Sequence, residues 1–180
     1  MRQQLGWLVL VAAVLFPLRC ITAQESATTL SIRGDIQKPN QWSVQELKTQ
    51  FAGQIQAVKF TASMDKAVKV GTGIPLISVI QAAALKTDQR INHHDLKFLV
   101  ILEAKDSYQS FFSLAELTPS RGGSPLAFLI WDVDGKPLSA KEDPLRLVLS
   151  AGGDARQIYG VIKITLVDGV KLANQLKDRQ

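Results

Sequence analysis

Pro125-Leu126-Ala127-Phe128-Leu129-Ile130-Trp131-Asp132-Val133-Asp134-Gly135-Lys136-Pro137-Leu138, with Asp143-Pro144-Leu145-Arg146-Leu147-Val148-Leu149 close behind, decides the fold. Leu126 to Val133 is a run of β-branched, aromatic and aliphatic residues, the composition of a buried strand. Asp134-Gly135 is a turn pair, because glycine supplies the positive φ of a tight turn. Pro137 stops ladder pairing on its side. Leu145, Leu147 and Leu149 alternate with Arg146 and Val148, which predicts a second strand with one face inward. Two strands joined by a polar, proline-bounded loop are the expected centre of the domain.

Upstream, Leu30, Ile32 and Gly34 alternate with polar residues as a first strand ending near Pro39. Ser43-Val44-Gln45-Glu46 has the spacing of a capping box and opens a short helix through Phe51, which Gly53 ends. Strands are expected over Ile55 to Ala62 and Ala67 to Val70, with a turn at Gly71-Thr72-Gly73. Pro75 fits the first helical position, and Leu76, Val79, Ile80 and Ala83 give Pro75 to Leu85 one apolar side. Lys86 to Asp95 is a polar connector. Leu96 to Ala104 reads as a central strand, Lys105-Asp106-Ser107 as a turn and Tyr108 to Phe112 as the returning strand. Ser113 to Glu116 repeats the capping box. Ile158 to Val167 is the last strand, before a charged helical tail. Strands and short helices in this order predict a mixed α+β domain.

The chain has 180 residues, 21 of them basic and 16 acidic, for a formal charge of +5. Arg2 followed by the apolar stretch Leu5 to Leu18 and by Thr22-Ala23 has the layout of a secretory signal. The expected organisation is a signal over 1–23 and one domain over 24–180, periplasmic or secreted, with no stable membrane span after cleavage. Removing Arg2 and Arg19 lowers the basic excess by two. The remaining cations are spread out, without the basic cluster and interleaved aromatics of a nucleic-acid surface. Cys20 is the only cysteine. Arg19 before it disfavours lipid attachment, and cleavage removes it, leaving no disulfide and no thiolate.

Several segments match a known pattern in order. They are the first strand ending at a proline, Ser43 to Leu47, Gly73-Ile74-Pro75-Leu76, Asp106-Ser107-Tyr108, Phe112 to Leu117, Asp134 to Leu138 and Asp143 to Val148. Together they resemble the oxidoreductase molybdopterin-binding domain, the catalytic fold of sulfite oxidase and its bacterial relatives, in a small secreted form. The resemblance implies that fold over Leu30 to Val167 and a molybdopterin cofactor. Family enzymes hold molybdenum through a cysteine thiolate ahead of the Gly-x-Pro-Leu helix. Here that segment is Phe60-Thr61-Ala62-Ser63-Met64-Asp65-Lys66, without cysteine. A thioether such as Met64 is a poor substitute on a high-valent oxo metal, so molybdenum redox chemistry is not expected.

The expected function is therefore an exported, monomeric, non-catalytic module for a small anionic ligand or a periplasmic protein partner. The alternatives are a molybdopterin-dependent oxidoreductase with an atypical metal site and an accessory redox subunit. Five residues are candidates for cofactor or ligand binding. Met64 occupies the thiolate segment, and Gly73 offers backbone N–H groups before a helix. Tyr108 follows Asp106 at the strand ends. Asp154 and Arg156 lie in the glycine-rich loop after Leu149, where Arg156 is the nearest match for a phosphate holder. No catalytic or metal-ligating residue is assigned. His93 and His94, being adjacent, point apart and read as exposed loop histidines. Trp42, Trp131 and Tyr159 read as packing aromatics.

Overall fold

The computed structural model describes residues 29–62, 65–120, 123–150 and 156–179. The expected signal segment, Met64 and Asp154 lie outside them.

Two sheets organise the chain. The first holds β1 (Leu30–Gly34), β2 (Asn40–Trp42), β5 (Phe98–Ala104), β6 (Gln109–Ser113) and β10 (Val161–Asp168), in the order β2-β1-β10-β5-β6. All its neighbours are antiparallel except β1 and β10, which run parallel with Ile32 opposite Ile164. The second runs β3 (Gln56–Thr61), β4 (Val68–Pro75), β7 (Ala127–Val133), with β8 (Lys136–Pro137) and β9 (Arg146–Leu149) both paired to β7. The helices are α1 (Val44–Gln50), α2 (Leu76–Ala83), α3 (Leu114–Leu117) and α4 (Gly169–Lys177). The mixed α+β class is as expected.

The run Leu126 to Val133 is continuous rather than alternating because both faces of β7 are covered. Ala127, Leu129 and Trp131 join the main core, which α2, β1, β5 and β10 also line. Phe128 and Ile130 face the other way, into a second core with Val58, Phe60, Ala62 and Val148. Each large side chain moved from water into these cores contributes about 1.5–3 kcal/mol.

Five expectations are corrected by this packing. Gly71-Thr72-Gly73 is no turn. It lies inside β4, where glycine is needed because a Cβ on Gly73 would sit 2.1 Å from the Leu129 carbonyl oxygen. Pro75 closes that strand and caps α2 rather than occupying its first turn. Helix α2 is not amphipathic: Leu76, Ile77, Ser78, Val79, Ile80 and Ala83 are all buried. Strand β9 buries both faces, Arg146 included. The last strand starts at Val161, with Ile158 left in an isolated bridge to Leu147.

The caps follow the sequence. Ser43 Oγ accepts from the Glu46 amide at 3.3 Å, and Glu46 Oε2 accepts from the Ser43 amide at 2.7 Å. Ser113 and Glu116 repeat the arrangement at α3. Among the described residues no helix is long and apolar enough to cross a membrane.

Candidate ligand-binding site

At one edge of the second core, β3, β9 and the segment after residue 155 meet. Register sets Arg146 opposite Ile130 and therefore on the second-core side of β9. Its guanidinium lies over two rings, 5.0 Å from the Phe60 centroid and 4.4 Å from that of Tyr159. Nη1 donates to Glu142 Oε1 at 2.7 Å, and Nη2 donates to Gln157 Oε1 at 2.6 Å and to the Tyr159 hydroxyl at 3.2 Å. The residue is 5% exposed. Its Nε–H is buried without a hydrogen-bond partner among the described residues. A planar, permanently charged group suits this place, because it stacks on aromatic faces while its N–H fork takes in-plane acceptors.

Gln157 then ties these segments together. Its side-chain amide donates to the Thr61 carbonyl oxygen at the end of β3. The two stretches that the sequence marks as binding loops, around Met64 and around Arg156, thus have described flanks in direct contact.

Arg156 itself faces a different neighbour. Its guanidinium stacks 4.1 Å from the Phe112 centroid, pairs with Glu116 Oε1 at 2.8 Å and donates to the Phe111 carbonyl oxygen at 3.2 Å. The hydrogen bond from Arg156 holds the Glu116 carboxyl below the usual range against the opposing effect of partial burial. Arg156 therefore covers the outer side of edge strand β6. Tyr108 lies just before β6 and is exposed, with its amide on Asp106 Oδ1 at 3.0 Å. It is neither a core aromatic nor in contact with Arg146. Gly73 sits in mid-strand, with backbone pressed against its Cα. Of the packing aromatics, Trp42 and Trp131 are buried, and Tyr159 stacks on Arg146.

Sequence reasoning missed Arg146. Its position inside an apolar alternation, Leu145-Arg146-Leu147-Val148-Leu149, was the available signal, since a charge there is either solvated or held by partners.

A second polar cluster lies at the far end of β10. His94, expected to be exposed, is 4% exposed. It belongs to a 3-10 turn, His94–Lys97, with its ring 5.5 Å from Phe98. Nδ1 accepts the Asp88 amide at 2.7 Å, which leaves the hydrogen on Nε2 to donate to Asp168 Oδ1 at 3.0 Å. Both ring nitrogens are engaged, so the pair offers no general base.

The donor set does not fit the metal that the resemblance implies. A high-valent oxo metal wants thiolate, and no cysteine falls between Ile21 and Gln180. Among the described residues there is no group of three or more His, Cys, Asp or Glu side chains able to hold a metal ion. In comparison with known proteins, no family model matches the chain and no curated protein matches it.

Proposed function

We propose that this chain is an exported, non-catalytic binding domain on the molybdopterin-binding fold of the sulfite oxidase type, holding a small anionic ligand beside Arg146 at the edge of the second core. The observation that carries this reading is Arg146: a buried guanidinium beside Phe60 and Tyr159, whose Nε–H has no hydrogen-bond partner among the described residues. A buried N–H without an acceptor is costly, and an anion is the acceptor that a guanidinium favours. Lys141, whose Nζ lies 5.9 Å from the Tyr159 centroid, and Arg156 add positive charge nearby, against Glu142 and Glu116. With Cys20 removed by the expected cleavage no thiolate is left, and the ligand is held rather than reduced or oxidised.

The test is calorimetric titration of the purified chain lacking residues 1–23 with inorganic phosphate, molybdate and a pterin phosphate. Saturable binding of one of them, weakened at least tenfold in Lys141→Gln, is expected. Absence of heat for all three overturns the reading. Stoichiometric molybdenum in the protein as purified defeats the non-catalytic assignment and favours an oxidoreductase with an atypical metal site.

A further inference from the structure

We infer that His94 is a pH-operated latch, which holds residues 87–93 against the start of α4 while neutral and releases the Asp88 amide when protonated. The geometry makes the two ring nitrogens unequal. Nε2 donates to Asp168 in either protonation state. Nδ1 accepts the Asp88 N–H, at 2.7 Å, only while it carries no hydrogen. A proton on Nδ1 sets two donors face to face, and the backbone partner has no other role to turn to.

The groups around the ring confine the break to that side. Asp168, from the end of β10, caps α4 by accepting the Val170 and Lys171 amides. Lys171 of α4 pairs with Asp35 Oδ1 at 2.9 Å and lies 3.7 Å from Asp168 Oδ2, and Asp35 Oδ2 accepts the Asp168 amide at 3.0 Å. From β5 the Phe98 ring lies 5.5 Å from the imidazole and carries no charge. From α3, packed beside the 3-10 turn, the charged side chain is Glu116, committed to Arg156. On the strap itself the Asp88 carboxylate is taken by Arg90 at 2.7 Å. Arg90 holds Asp88 down to about 2, and the hydrogen bonds on Asp35 and Asp168 keep both below the usual range. These carboxylates stay charged on acidification to pH 5, and imidazole is the side-chain type that changes charge in that window.

The strap is otherwise lightly tied. Its start is fixed by the Lys86 amide on the Asp35 carbonyl oxygen, and its end passes through His93 in the left-handed region, φ 49°. His94, Asp88, Ile91 and Lys171 line a cavity of about 310 Å³, which opens when the strap lifts. Because Asp168 keeps its imidazolium partner, α4 stays capped and the fold persists.

Nitrogen-15 NMR of the imidazole and amide hydrogen exchange test this on the full mature chain. Expected are the Nε2–H tautomer at pH 7.5 and a protonated ring at pH 5. The Asp88 amide should then lose at least tenfold of its protection, corrected for intrinsic exchange, while Val100 in β5 keeps its own. In His94→Gln the pH step at Asp88 should vanish. An Nδ1–H tautomer at pH 7.5, a ring still neutral at pH 5, or unchanged Asp88 protection with a protonated ring would each overturn the latch. So would a pH step that survives in His94→Gln. Where that variant does not fold, the wild-type tautomer and exchange data decide.

Discussion

Arg146 lies over the Tyr159 ring, its guanidinium carbon 4.4 Å from the centroid, and also donates to the Tyr159 hydroxyl at 3.2 Å, with the Phe60 centroid 5.0 Å away. The arrangement lets a charged residue open an apolar strand. Replacing it by alanine removes both stacks and leaves the Gln157 amide oxygen without its donor. Arg146→Ala should cost about 2–4 kcal/mol of unfolding free energy. Arg146→Met refills the volume without a charge and should cost less. Urea denaturation of both variants checks the order. A methionine variant less stable than the alanine one would refute the packing argument.

Gly73 and Gly53 make a contrasting pair. A Cβ on Gly73 meets Leu129 backbone at 2.1 Å, whereas at Gly53 nothing lies within 4 Å. Gly73→Ala must push β4 off β7 and should destabilise by about 3 kcal/mol or more. Gly53→Ala should change stability by no more than about 1 kcal/mol, with stabilisation the expected sign. Equal thermal midpoints for the two variants would mean that the β4–β7 contact is looser than described.

The sequence makes the strands, the caps and the α+β class readable, because alternation and Ser-x-x-Glu spacing act over a few residues. What it hides is set by the second core. Nothing local says that Phe128 and Ile130 have a partner surface of their own, so β9 reads as one-faced and Arg146 passes for a solvated residue. Gly71-Thr72-Gly73 reads as a turn because glycine marks both turns and close strand approaches, and only the Leu129 carbonyl distinguishes them. His94 looks exposed because the backbone amide that donates to it is six residues away and the carboxylate that accepts from it, Asp168, is 74 residues away.

The caps separate into a local and a tertiary kind. Ser43 bonds only within its own turn, so Ser43→Ala should cost about 1 kcal/mol. Asp168 caps α4 and also receives His94 while almost fully buried. Asp168→Ala should cost about 2–4 kcal/mol, since it strands a buried imidazole donor as well as the helix start. Similar losses for the two variants, measured by denaturant titration, would show that the His94 contact adds nothing.

Acid should weaken the same corner by a second route. Asp35 is held below the usual aspartate range first by the Asp168 amide and then by Lys171, against a smaller opposing effect of burial. Burial pushes Asp168 up, but the hydrogen bonds from His94 and from the Lys171 and Val170 amides outweigh it and bring it down. A carboxyl whose folded value is depressed contributes stability that is fully present above its unfolded value, about pH 4. That contribution is lost as pH falls through the folded value. The urea midpoint should therefore fall as the pH drops below about 4, beneath the window in which the latch acts. Asp35→Asn removes one of the two groups and should start lower at pH 6 but fall less on acidification. A parallel decline in wild type and variant would show that Asp35 does not contribute to the acid response.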